Sequence, residues 1–213
     1  MRWALRADFE EGEELFATEE VRAELVVIAA ACGCDNVREA AAGAIFQIAR
    51  SEEGQLVMCQ AEVRDVLLGM GVATGCDYAH ASVAKAIYSI ASGFEEGKRL
   101  FASESVRELL IAMGAACESD DSRKAVAWAI GCIARGYEEG QRVMATEEVR
   151  GVLVAMGAAC GSDGSRKAVA WAIGCIACEF EAGQRLMATE EVRGVLVAMG
   201  AACGSDDVRG TVA

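Results

Sequence analysis

A glycine behind an acidic pair returns along this chain at a fixed interval. It stands at Glu10-Glu11-Gly12, Glu52-Glu53-Gly54, Glu95-Glu96-Gly97 and Glu138-Glu139-Gly140, and in the variant Glu181-Ala182-Gly183. The glycines are 42, 43, 43 and 43 residues apart. Ten residues beyond each comes an arginine: Arg22, Arg64, Arg107, Arg150 and Arg193. Sixteen beyond comes Ile28, Met70, Met113, Met156 or Met199. A self-similarity of this period restricts the fold to stacked copies of one supersecondary unit.

Each unit divides into three helical pieces. The first is short, as in Gly97-Lys98-Arg99-Leu100-Phe101-Ala102. A capping residue follows at Thr18, Ser103, Thr146 and Thr189, with acids just behind it. Its oxygen accepts a free backbone N–H, and the acids suit the positive end of a helix. The second helix runs through segments such as Val149 to Met156 and ends near Cys160-Gly161-Ser162-Asp163, a glycine stop followed by a new cap. The third helix is the longest, Arg166 to Ala177, with apolar residues at helical spacing on one face. One such unit cannot bury its apolar face alone, whereas neighbours bury it against each other.

Composition agrees. Apolar residues make up 54% of the 213-residue chain, proline is absent and aromatics are 6%, so an all-α fold is expected. The formal charge of −13 speaks against nucleic acid as a partner, because phosphate binding needs an excess of clustered Lys and Arg. Charges interrupt the N-terminal segment before a signal-peptide core could form, and no apolar run approaches the roughly 18 residues of a spanning helix. A soluble, intracellular protein, cytoplasmic or nuclear, is expected, with no membrane partner.

The succession of short helix, medium helix, Ser-Asp turn and long third helix carrying Ala-Trp-Ala-Ile-x-x-Ile-Ala resembles the armadillo repeat over essentially the whole chain. Family patterns read Trp-Ala-Leu-Ser-Asn-Ile in the third helix. Here the text is Trp128-Ala129-Ile130-Gly131-Cys132-Ile133 and Trp171-Ala172-Ile173-Gly174-Cys175-Ile176. The runner-up, the HEAT repeat, has two helices and often a kinking proline. The resemblance implies a right-handed α-solenoid, an αα-superhelix of about five three-helix units forming one elongated domain. Its units are approximately 10–51, 52–94, 95–137 and 138–180, with a partial unit at 1–9 and an incomplete one at 181–213.

Residues 1–9 match the end of a third helix and residues 208–213 the start of one. Two readings follow: a slice of a longer array, or head-to-tail association in which one chain's end completes another's start. Units four and five are nearly identical, differing between Glu138–Cys160 and Glu181–Cys203 only at Glu139/Ala182 and Val143/Leu186. Recent duplication and design both account for that.

In armadillo proteins the third helices line a concave groove that holds an extended peptide. Carried over by position, the tryptophan row reads Gly43, Lys85, Trp128, Trp171. The row four residues later, asparagine in the family, reads Gln47, Ser89, Cys132, Cys175. Four residues earlier stand Glu39, Ala81, Lys124, Lys167, and three beyond the asparagine row stand Arg50, Ser92, Arg135, Cys178. Residues four apart share a helix face, so these rows form one candidate surface. Cysteine does not replace the two-way hydrogen bonding of an asparagine amide. The surface is net basic, unlike that of the karyopherin type, and looks more like β-catenin, which binds acidic segments. The expected function is a non-enzymatic scaffold that holds an extended acidic partner segment, with Trp128 and Trp171 packing its apolar side chains. The competing expectations are a solvated lysine face and a structural solenoid that self-assembles through its ends.

Cys32, Cys117, Cys160 and Cys203 share one offset with Thr74 and are expected as small buried core residues. Stacked equivalents should lie about 8–10 Å apart, beyond the roughly 7 Å that a disulfide spans. Cys175 and Cys178 could touch one metal ion, but a second pair is missing, so no cofactor is expected. His80, the one histidine, stands where other units have Arg38, Arg123, Arg166 and Arg209. It reads as a surface group rather than a catalytic base, and no triad or phosphate loop is visible.

Overall fold

The computed structural model describes residues 15–204. The expectations for residues 1–9 and 208–213 lie outside them. Among the described residues there are helices and no strands. The second helices are α1 (Glu19–Ala31), α4 (Ala61–Ala73), α7 (Glu104–Ala116), α10 (Glu147–Ala159) and α13 (Glu190–Ala202). The third helices are α2 (Asp35–Ile48), α5 (Asp77–Gly93), α8 (Asp120–Ala134) and α11 (Asp163–Ala177). The short first helices are α3 (Glu52–Met58), α6 (Glu95–Phe101), α9 (Glu138–Met144) and α12 (Glu181–Met187). The array is an all-α solenoid. No helix among the described residues is long and apolar enough to cross a membrane.

The caps work as their sequence implies. Thr18, Ser103, Thr146 and Thr189 each accept the backbone N–H three residues on and so start the second helices. Ser119 and Ser162 do the same for α8 and α11. All five second helices end at the position held by Cys32, Thr74, Cys117, Cys160 or Cys203.

The repeating glycine has a steric cause. A β-carbon built on Gly54, Gly97, Gly140 or Gly183 would stand 1.8, 2.2, 2.0 or 2.1 Å from the carbonyl oxygen of Ile48, Ile90, Ile133 or Ile176. The first helix therefore crosses the end of the preceding third helix at backbone distance, which only glycine permits. Met58, Phe101 and Met144 at the far end of these short helices are fully buried. With Leu67, Leu110 and Leu153 of the second helices and Ile87, Ile130 and Ile176 of the third, they make one continuous core along the stack.

Polar side chains at fixed offsets bolt each unit to the next. Asp77 accepts from the Glu118 N–H at 2.9 Å and the Ser122 hydroxyl at 2.5 Å, while Asp120 accepts from the Gly161 N–H at 2.9 Å and Asp163 from the Gly204 N–H at 3.1 Å. The residue after the repeating glycine reaches the other end of the neighbouring third helix: Gln55 Nε2 donates to Ser89 O, Lys98 Nζ to Arg135 O, and Gln141 Nε2 to Cys175 O and Cys178 O. The arginine row also bridges units, with Arg22 donating to Val57 O and Arg150 to Leu186 O.

Neighbouring third helices lie closer together than neighbouring second helices. Small residues allow this approach: Ala84, Ala86, Ala127, Ala129, Ala168 and Ala172 are buried along α5, α8 and α11. The stack therefore curves with α2, α5, α8 and α11 on its inner side.

Candidate functional site

The tryptophan row faces the inner side. Trp128 and Trp171 are half-buried, with ring centroids 4.4 Å apart and planes inclined by 46°. Their approach depends on Gly131, where an added β-carbon would lie 2.3 Å from Trp171 Cζ3. The indole of Trp171 thus rests on bare backbone of α8. In the first two units the aromatic has moved one turn on: Phe46 and Tyr88 occupy the Gly131 position, with centroids 5.8 Å apart. The two aromatic pairs meet between α5 and α8. There Lys85 stands in place of a third indole, and the vacated space is a cleft of about 380 Å³.

Seven residues of the candidate rows line that cleft: Lys85, Ser92, Lys124, Trp128, Cys132, Arg135 and Trp171. Tyr88 and Asp121 line it too. Asp121 takes the charge of Lys85 across the helix junction at 2.5 Å. Lys124 and Arg135 are exposed and make no salt bridge among the described residues. The cleft has aromatic walls and uncompensated positive charge at its mouth.

The remaining candidates are distributed differently. Lys167 is exposed further along the same face. Gln47 is exposed on α2 and accepts from Arg50 Nη1 at 3.0 Å. Ser89 is turned inward and donates to Ala49 O at 2.8 Å, so it offers its hydroxyl to the scaffold. Cys132 and Cys175 are buried. Cys175 forms the floor of a second cleft of about 330 Å³, beside Trp171, Gly174 and Cys178.

Burial favours the protonated form of those two thiols. Burial, reinforced by Cys175, pushes Cys132 up to about 12, against the pull of Arg135 and Lys98. Burial pushes Cys175 up to about 11. Both are protonated at neutral pH. Among the described residues no group of three or more His, Cys, Asp or Glu is arranged to hold a metal ion.

His80 corrects the sequence reading. It is not a surface group: it is 7% exposed. The arginines at its position lie across the end of the second helix, as Arg123 does in donating to Cys117 O and Glu118 O. The shorter imidazole sinks into the junction instead.

Asp121, Tyr88 and Phe46 were not singled out by sequence. The aromatics had a signal, since the Gly131 row carries Phe or Tyr wherever the tryptophan row does not. The pairing of Lys85 with a residue 36 positions away had none.

No family model and no curated protein matches this chain. Solved structures do. A designed armadillo repeat protein in complex with the peptide (KR)4 has a TM-score of 0.80 at 20% identity, covering 95% of this chain and 83% of that one. A second designed armadillo repeat protein has a TM-score of 0.79 at 20% identity, with the same coverage. Computationally designed armadillo repeat proteins for modular peptide recognition give 0.75 at 19% identity, covering 91% of this chain and 79% of that one. The fold of this chain is therefore the armadillo-like repeat fold.

Proposed function

We propose that this chain is a non-catalytic scaffold that holds an extended, acidic protein segment along its inner face. The observation that carries the reading is the junction of α5 and α8. There the Trp128–Trp171 pair walls a cleft whose free cations are Lys124 and Arg135, with Lys167 next along the face. Aromatic and arginine side chains in a partly desolvated recess are the residue types that dominate binding energy. The structural neighbours include one solved with a (KR)4 peptide, which supports a peptide as the kind of ligand the fold accommodates. The charge expected here is the opposite, because Glu39 and Asp121 are outnumbered by Lys85, Lys124, Lys167, Arg50 and Arg135. The net charge of −13 does not forbid this. Exposed charges more than about 10 Å apart are largely screened at 0.1 M salt.

Charge reversal tests it. Lys124→Glu/Lys167→Glu alters two exposed side chains on helix surfaces and leaves the core intact. Isothermal titration with a glutamate-rich peptide should show at least about tenfold weaker binding than the parent, roughly 1.4 kcal/mol. The loss should shrink as salt rises. Unchanged affinity counts against the basic face as the site.

A further inference from the structure

On the other side of the array, between α4 and α7, lies a cleft of about 650 Å³. Leu68, Val72, Leu109 and Met113 supply its apolar walls. Four departures from the internal repeat meet there. Gly69 stands where other units have Val27, Ala112, Ala155 and Ala198, and a β-carbon on it would meet nothing within 4 Å. Val72, 78% exposed, replaces the alanine of every other unit. Thr74 replaces cysteine and His80 replaces arginine. All four residues line this one recess, so its surface differs from the equivalent surface of the other units.

Of the two buried polar side chains that line the cleft, one has a ring nitrogen without a partner. Thr74 is occupied: its hydroxyl donates to Asp35 at 2.7 Å and accepts from the Cys76 N–H at 3.1 Å. His80 is more than nine-tenths buried and lines the cleft, and its Nδ1 has no hydrogen-bond partner. A buried polar atom without a partner is costly, and native structures seldom keep one without a reason. A pocket of several hundred Å³ with mainly apolar walls and a few polar groups has the form of a small-molecule site. Its charge is selective as well. The Glu108 carboxylate lines it, and the Asp35 carboxylate stands behind Thr74, accepting from its hydroxyl. Anions are therefore disfavoured.

We propose that the α4–α7 cleft binds a neutral, mainly apolar small molecule whose one hydroxyl or carbonyl hydrogen-bonds the imidazole of His80. This site is separate from the inner groove and stands whether or not that groove binds peptide.

The histidine is the only one in the chain, so its ring signals report on the site without ambiguity. Phenol, toluene and benzoate are titrated into ¹⁵N-labelled full-length protein, following the His80 ring nitrogens and the Gly69 amide. Phenol is expected to give a saturable shift at both reporters, with toluene and benzoate at least tenfold weaker. Gly69→Leu fills the recess from a helical position with open space around it and so should keep the fold. It should weaken phenol at least tenfold. In His80→Leu the Gly69 amide should still respond, with the preference for phenol over toluene lost. No saturable shift, a phenol response unchanged by Gly69→Leu, or benzoate binding as tightly as phenol would each overturn the proposal.

Discussion

Replacing Gly97 with alanine will lower the stability of the array by about 3 kcal/mol, the upper range for overpacking a close contact. The new β-carbon would lie 2.2 Å from Ile90 O and 3.3 Å from Ala91 Cα. Both are backbone atoms of the preceding third helix, so no rotamer change relieves the clash. The short helix α6 has to lift off, and Phe101, fully buried at its far end, lifts with it. The matched control is Gly151→Ala. Gly151 is also helical, but a β-carbon there meets nothing within 4 Å. That substitution should stabilise the protein by about 0.5–1 kcal/mol, through the usual gain of alanine over glycine in a helix. Urea unfolding of the two variants reads the opposite signs directly. Equal effects would mean that the repeating glycine serves propensity or a turn rather than a crossing.

Removing the Asp77 carboxylate will cost about 2 kcal/mol, in the range of hydrogen bonds to a charged group. Asp77→Ala takes the acceptor from the fully buried Ser122 hydroxyl and from the N–H of Glu118, so the bolt between the second and third units is lost. The same bolts make the array acid-sensitive. Burial pushes Asp77 up, but hydrogen bonds from the Ser119 and Ser122 hydroxyls and the Glu118 and Ser119 N–H groups outweigh it and hold the carboxyl below its ordinary 3.8. Asp120 is likewise pushed up by burial. The Gly161 N–H, the Ser162 and Ser165 hydroxyls and Arg123 bring it down further. A folded-state pKa below the unfolded value contributes stability that is fully present above about pH 4 and is lost as pH falls through the folded value. Urea midpoints measured from pH 6 down to pH 2.5 should therefore fall below about pH 4. In Asp77→Asn/Asp120→Asn the fall should be shallower from a lower starting point. Parallel curves for parent and variant would show that these two carboxylates do not carry the acid sensitivity.

The array was legible because its causes are local or periodic. The caps at Thr18, Ser103, Thr146 and Thr189 need only the next three residues, and the glycine row repeats the same backbone crossing at Gly54, Gly97, Gly140 and Gly183. The inner face was legible only in part. Its rows followed from position on the third helix, and Lys124, Trp128, Arg135 and Trp171 do converge on one cleft. Depth was not legible. Ser89 shares its row with exposed Gln47, yet its hydroxyl turns to Ala49 O, because the neighbouring helix end brings that carbonyl within 2.8 Å. His80 shares its row with arginines that reach polar partners, and it sinks because its side chain is too short to do the same. For Ser89 the deciding neighbour lies in another unit, and for His80 the depth depends on side-chain length, so neither follows from the row alone.

The central claim is that the inner face selects an extended acidic segment. The direct measurement is a fluorescence titration of the Trp3→Phe protein, in which Trp128 and Trp171 are the remaining indoles. The titrants are a glutamate-rich peptide carrying one leucine and, in parallel, (KR)4, both at 50 mM salt. Saturable change in indole emission with the acidic peptide, weakening as salt is raised, and no saturable change with (KR)4 is the predicted result. Tighter binding of (KR)4, or an indole signal indifferent to both peptides, would contradict it.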